Sequence, residues 1–315
     1  MSIKHLYCAA FLLGGLTAQT TVNPDVTAIG DLLYGPDTGW TTSGVELALQ
    51  GYVNPYAYAT AILHKPDGET PVDLEEGFLS IDRGLPLGLG LKLGRFRPDV
   101  GHVNREHEHT YAYIDPLESA VTFLGEEMWS GNGLAVNALL PLPWYSQLEM
   151  NVLSALPETP DSLFAPGGAL AWSWRQFWDL GLYSHLEWGL GDIAPSGSAS
   201  NSVWNTYLKF KWKPDSYRAA ILQAEGFALT GRKNRPAGGY VWGDLRIRKV
   251  WSVGFVVDGV WQEKDLHVRA GVMAGFSPVE ETTVFRWILL QDSTHQWSWK
   301  TQVVWSLGPH KPHQF

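Results

Sequence analysis

The chain has 315 residues, with 23 Lys plus Arg, 32 Asp plus Glu, 16 Trp, 33 Gly and a single Cys. Only 17% of residues are charged while 13% are aromatic, which excludes a disordered chain, and a net charge of -9 excludes a general nucleic-acid binder. So much Trp beside low charge and abundant Gly suits either an all-β carbohydrate binder or a membrane barrel with aromatic belts at its two interfaces.

Lys4 precedes an apolar stretch from Leu6 to Leu16 that is too short for a membrane-spanning helix, and Thr17, Ala18 and Gln19 follow it. Residues 1–18 read as a cleaved signal peptide, leaving 19–315 as one barrel domain. Cys8 falls inside the leader, so a mature chain without disulfides, thiolate metal sites or cysteine nucleophiles is expected. No later window reaches the roughly 18 consecutive apolar residues of a spanning helix, so a membrane protein here must be a barrel.

The mature chain runs in period two. From Val203 to Trp212, Trp204, Thr206, Leu208, Phe210 and Trp212 take one face, with Asn205, Tyr207, Lys209 and Lys211 on the other. Leu87 to Leu93, Leu182 to Leu190, Leu266 to Phe276 and Trp297 to Leu307 alternate similarly. The spacing predicts strands near 26–33, 45–53, 56–64, 72–80, 87–97, 132–140, 146–155, 169–176, 180–190, 202–212, 217–228, 239–248, 251–261, 266–276, 282–290 and 296–307. An all-β, antiparallel, up-and-down transmembrane barrel of about 16 strands follows, with 14 as the alternative. Tight turns such as Asn54-Pro55 alternate with longer polar links such as Lys65 to Pro71 until the last few links, which are all short. Trp204 and Trp212 at the two ends of one strand, with Trp172, Trp174, Trp188, Trp251, Trp261, Trp297 and Trp305 near other ends, fit two interfacial girdles.

The face assigned to the lumen carries Lys92, Lys209, Lys211, Arg246, Arg248, His267, Arg269, Arg286 and Lys300, although the chain is acidic overall. Rings of Lys and Arg favour anions in a pore. The competing reading is that they pair with Glu149, Glu187, Glu225 and Asp244 and brace a nearly closed barrel.

The longest link, at about 98–131, contains the unusual run Gly-His-Val-Asn-Arg-Glu-His-Glu-His from Gly101 to His109. A link of that length folds inward or carries function. His102, Glu106, His107, His109 and Asp115 form a candidate zinc-type set, because imidazole with carboxylate suits that metal. The alternative is a hydrogen-bonded loop whose His residues are satisfied by acidic neighbours. His310 and His313 near the C-terminus are further candidates.

Leu93-Gly94-Arg95-Phe96 followed by Gly101, Asn104, His107 and His109, then Phe123-Leu124-Gly125-Glu126, resembles a group of proteobacterial porin-like outer-membrane proteins. Asn23-Pro24 and Gly308-Pro309-His310 are similar to that group's start and tail, and the strand ending in Gly-Arg-Phe is similar to one of phosphate-selective porins. The resemblance implies a porin-superfamily barrel, a group whose members are sometimes labelled metal-regulated receptors. With a short segment before the first strand, the plug domain of an energy-coupled receptor is not expected.

His185 with Glu187, or His267 with Ser252, forms no compact catalytic triad, and no nucleophile elbow occurs, so no enzyme activity is expected. The expectation is an outer-membrane porin-like channel for passive diffusion of small hydrophilic solutes or ions, anion-preferring, needing no cofactor. Its surroundings are outer-membrane lipid, and a homo-oligomer is compatible with it. A metal-binding or metal-uptake barrel using the His-rich loop is the first alternative, and a soluble all-β carbohydrate binder the second.

Overall fold

The protein is described from a computed structural model at residues 24–68, 71–197, 201–231, 235–262, 265–279 and 282–308. The expected signal peptide and the His310/His313 tail lie outside the described residues. The strands are β1 (Asp25–Gly35), β2 (Gly39–Thr41), β3 (Val45–Asn54), β4 (Ala57–Lys65), β5 (Asp73–Ile81), β6 (Leu89–Phe96), β7 (Gly131–Leu139), β8 (Tyr145–Leu153) and β9 (Ala169–Asp179). They continue as β10 (Ser184–Pro195), β11 (Ser202–Trp212), β12 (Ala219–Thr230), β13 (Ala237–Arg248), β14 (Trp251–Gln262), β15 (Asp265–Val279), β16 (Thr283–Asp292) and β17 (Trp297–Leu307). Each pairs antiparallel with its neighbours, and β17 closes on β1 from Ala28↔Leu307 to Tyr34↔Thr301. The three-residue β2 only extends the upper end of β1, so the barrel has 16 long strands.

Closure is what the period-two pattern requires. In β11, Val203, Asn205 and Tyr207 are buried inward, whereas Trp204 is 41% and Leu208 46% exposed. Val257, Val272 and Leu222 are exposed on the same outer surface. In water this outer belt would be a continuous apolar patch, and in hydrocarbon it is solvated while the sheet satisfies its own backbone groups.

Two expected strands start late. Leu87 has φ +59 inside the short 3-10 turn Pro86–Gly88, and Leu182 lies in the turn between β9 and β10. Both are almost fully exposed. Apolar turn residues near the interface carry the same alternation as strand residues, which is why the sequence pattern absorbed them.

Nine of the 16 Trp residues fall into three groups. Trp204, Trp251, Trp261, Trp297 and Trp305 are exposed toward the ends of their strands. Trp174 and Trp188 sit further into the span, their rings 5.7 Å apart, and their indole N–H groups donate to the hydroxyls of Ser146 and Thr206. Those bonds satisfy a donor that hydrocarbon would leave unpaired. Trp129 and Trp242 are buried inside the barrel.

Gly94 in β6 has φ +130, and a Cβ there would collide with the Gly77 carbonyl oxygen across the β5–β6 pairing. Gly94→Ala should therefore destabilise the barrel by about 1–3 kcal/mol. It should lower the temperature at which the compact gel form converts to the unfolded one, with unchanged migration before heating.

Candidate functional site

The link between β6 and β7, residues 97–130, folds into the barrel instead of over its rim. It is ordered by its own polar residues. The guanidinium of Arg97 donates to the carbonyls of Glu106 (2.6 Å) and Glu127 (3.1 Å), joining the descending and returning arms. Asn104, fully buried, donates to the carbonyls of Pro98 and Trp129 and accepts from the Trp129 N–H at 2.8 Å. Short 3-10 turns at Val103–Arg105 and Glu108–Thr110 and a helix α1 (Glu118–Leu124) complete it.

Its apolar side seals against the wall. Val100, Val103, Tyr111, Leu117, Phe123 and Trp129 share a core with inward residues such as Ile193, Val203, Phe227, Val256 and Met273. Phe123 stacks on Phe227 with centroids 5.4 Å apart. The wall supplies carboxylates where the loop presents backbone N–H groups. Glu225 accepts from the N–H groups of His102 and Val103, from Asn205, and from the Tyr240 hydroxyl at 2.5 Å. Gly101, φ +81, brings the chain so close that a Cβ would strike this carboxylate. Asp258 accepts from the N–H groups of Glu118 (2.6 Å) and Ser119 (3.2 Å), capping α1 from another strand.

Below the loop lies a cavity of about 990 Å³, open at the rim of short turns, where Lys213, Ser216 and Lys249 line it. Its inner end is formed by loop residues between His102 and Ala112. The cavity forms a vestibule that opens on the side of the short turns.

The nine cations expected on the lumen face occupy different positions. Lys209, Arg246 and Arg286 line the vestibule. Lys209 donates to His102 Nε2 at 3.1 Å, and Arg286 donates to the His109 carbonyl and to Gln302. Arg269 pairs with Asp258 and Glu118, and Lys300 with Asp115 at 2.7 Å, so both hold the loop. Lys92 lies over the rings of Phe78 and Phe96. Lys211 is buried, while Arg248 and His267 are exposed at opposite rims. Arg105 pairs with Asp99 and Glu187.

The five expected metal ligands fall into three places. His102 and Glu106 face each other at 3.1 Å beside Lys209. Because Lys209 can only donate, His102 Nε2 accepts and its Nδ1 carries the proton toward Glu106. Burial and the Lys209 charge hold His102 below its ordinary value, in keeping with a neutral ring. Asp115 is engaged by Lys300. His107 and His109 turn to a different wall, where His107 Nδ1 lies 3.2 Å from Glu46 and 3.0 Å from Glu75, and His109 Nδ1 lies 3.4 Å from Glu46. Burial and Arg97 pull the His107 imidazole down, but the two carboxylates outweigh them and raise it to about 9.

Glu75, Glu76 and Asp258 escape a reading of the sequence alone. Strict alternation sends one of two adjacent Glu residues into lipid. The register of β4–β5 passes from Leu63↔Leu74 to Ile62↔Glu76, leaving Glu75 as the extra residue of a bulge. The bulge lets both carboxylates reach the interior, Glu76 accepting from the Arg97 N–H at 2.8 Å.

The closed sheet, lipid-facing belt and inward loop define a membrane-spanning β-barrel of the outer-membrane type. Its fold is similar to Pseudomonas putida OprB at high pH (TM-score 0.61, 11% identity, covering 90% of this chain and 94% of that one). It is also similar to the trimer form of Vibrio cholerae OmpT (0.58, 9%, 91% and 99%) and to the outer membrane channel DcaP of Acinetobacter baumannii (0.57, 10%, 90% and 96%). An uncharacterized protein of Aquifex aeolicus is 38% identical over 117 residues, 36% of this chain. The matching segment spans only 24% of that relative's length. No family model matches the chain.

Asn104→Ala would strand the Pro98 carbonyl and both main-chain groups of Trp129, at a cost of about 1–3 kcal/mol. Hydrogen exchange should rise across residues 97–130, while the pairing of β11 to β15 stays protected.

Proposed function

We propose that the protein is a narrow diffusion channel of the outer membrane, passing small hydrophilic solutes or ions, with the 97–130 segment as its constriction. The observation that carries this reading is the vestibule of about 990 Å³, lined by charged and apolar side chains alike, that ends on the folded-in loop. A barrel stabilised only as a structural wall gains nothing from keeping such a volume open, whereas a channel needs an open approach to its narrow zone. The fold similarity to an outer membrane channel supports the class.

The channel prefers anions weakly. Seven Lys or Arg residues line the vestibule against six Asp or Glu, and His107 adds positive charge near neutral pH. Cations gather on the side of β11 to β16, with Lys209, Arg246 and Arg286, while Asp25, Glu46 and Glu76 lie on β1, β3 and β5. Most of the cations reaching the loop already have carboxylate partners, so the excess acting on a solute is small. A homo-oligomer belongs to the same reading, since one similar barrel is described in a trimer form.

In planar bilayers the protein should give discrete channels of low conductance, with a reversal potential in a KCl gradient on the anion side. Arg246→Glu should move that potential toward cations. Glu225→Ala with Asp258→Ala, which removes the carboxylates that seat the loop, should increase conductance several-fold. Absence of discrete channels from both the native and the loop-loosened protein would sink the proposal.

A further inference from the structure

The cluster around His107 lies apart from the apolar seal and from the carboxylates Glu225 and Asp258 that seat the loop. Three elements contribute to it, Glu46 from β3, Glu75 from the bulge of β5 and His107 from the inward loop. One ligand atom from each lies within 4.8 Å of the others. We propose that Glu46, Glu75 and His107 form a divalent-cation site of the zinc class, with His109 or water in the fourth position, that pins the loop to the β3–β5 wall.

The separations fit. Ligands about 2.0–2.2 Å from a tetrahedral metal lie about 3.3–3.6 Å apart. His107 Nδ1 stands 3.0 Å from Glu75 Oε2 and 3.2 Å from Glu46 Oε2, and His109 Nδ1 stands 3.4 Å from that same Glu46 oxygen. Small outward shifts from hydrogen-bond distance reach the required spacing. Two carboxylates with one or two imidazoles suit zinc and neighbouring transition metals better than calcium or magnesium, which take oxygen-only sets.

Access and charge agree with this assignment. Glu46, His107 and His109 line the vestibule, so an ion has an entry path. Two carboxylates and a neutral imidazole carry a charge that a divalent ion balances. Arg97, 3.6 Å from Glu75 Oε1, engages the other oxygen of that carboxylate and leaves Oε2 directed at His107. The bulge is the second structural sign, since it spends a ladder position to bring Glu75 inside. Five residues along the loop, His102 lacks this setting, because Lys209 donates to its Nε2 and so occupies the lone pair that a metal would need.

The inference goes beyond the channel reading and holds whether or not the vestibule conducts. Its test is equilibrium dialysis of the detergent-folded full chain, stripped with chelator and exposed to micromolar zinc, with metal content read per chain. One tightly held equivalent is expected. Glu75→Gln and His107→Ala should each weaken it by more than the about 10–100-fold that loss of an outer-shell partner costs, while His102→Ala and Asp115→Asn leave it unchanged. Heat-modifiable migration establishes that each variant is folded; should His107→Ala fail to fold, Glu75→Gln decides. Cobalt(II) added to the native protein should give the intense visible bands of a four-coordinate N/O site. No zinc retained, equal retention by Glu75→Gln, or only the weak spectrum of hydrated cobalt would overturn the site. None of these outcomes touches the conductance measurement.

Discussion

In hydrocarbon every backbone N–H and C=O must find its partner within the protein, and the closing of β17 onto β1 meets that requirement for the whole molecule. Closure fixes one strand face against lipid and commits the other to an interior too wide for wall side chains alone to fill. That interior needs water, side chains or another piece of chain. Here the 97–130 segment fills part of it and leaves the vestibule as the open remainder.

The inserted segment obeys the rules of a small globular core with a barrel as its partner. Its apolar residues pack on wall residues that would otherwise face water, each such side chain contributing about 1.5–3 kcal/mol when fully buried. Its exposed N–H groups would be orphaned by the same burial, and the wall answers with Glu225 and Asp258. Burial of those carboxylates is costly unless they are hydrogen-bonded, so donor and acceptor stabilise each other's position. The seal and the polar anchors are therefore one device: removing the anchors weakens the apolar contact they align.

Sequence legibility followed from the same physics. Long strands such as β11 and β14 are readable because lipid on one side and interior on the other enforce strict alternation. Alternation fails as a guide at turns, where Leu87 and Leu182 keep the period without the strand, and at the β5 bulge, where Glu75 breaks it. It also says nothing about which loop residue meets which wall residue. His102, Glu106, His107, His109 and Asp115 are neighbours in sequence, yet the turn at Val103–Arg105 and the one at Glu108–Thr110 send them to three walls. The sequence clusters chemistry by distance along the chain, and the barrel sorts it again by azimuth.

This sorting by azimuth governs what the interior can do with charge. Loop carboxylates Asp99, Glu106 and Asp115 meet wall or loop cations, whereas loop N–H groups meet the wall carboxylates Glu225 and Asp258. Paired charges therefore dominate where the loop meets the wall, while Arg246 lines the vestibule. The β3–β5 wall departs from this arrangement, because Glu46, Glu75 and Glu76 crowd together against His107, His109, His64 and Arg97. Three carboxylates so placed repel one another unless positive charge is held between them. The interior has two ways to supply it: a proton on His107, which the carboxylates themselves favour, or a divalent ion in the same space. Whichever occupant is present, the loop is held to that wall by charge, and on the opposite side by apolar packing.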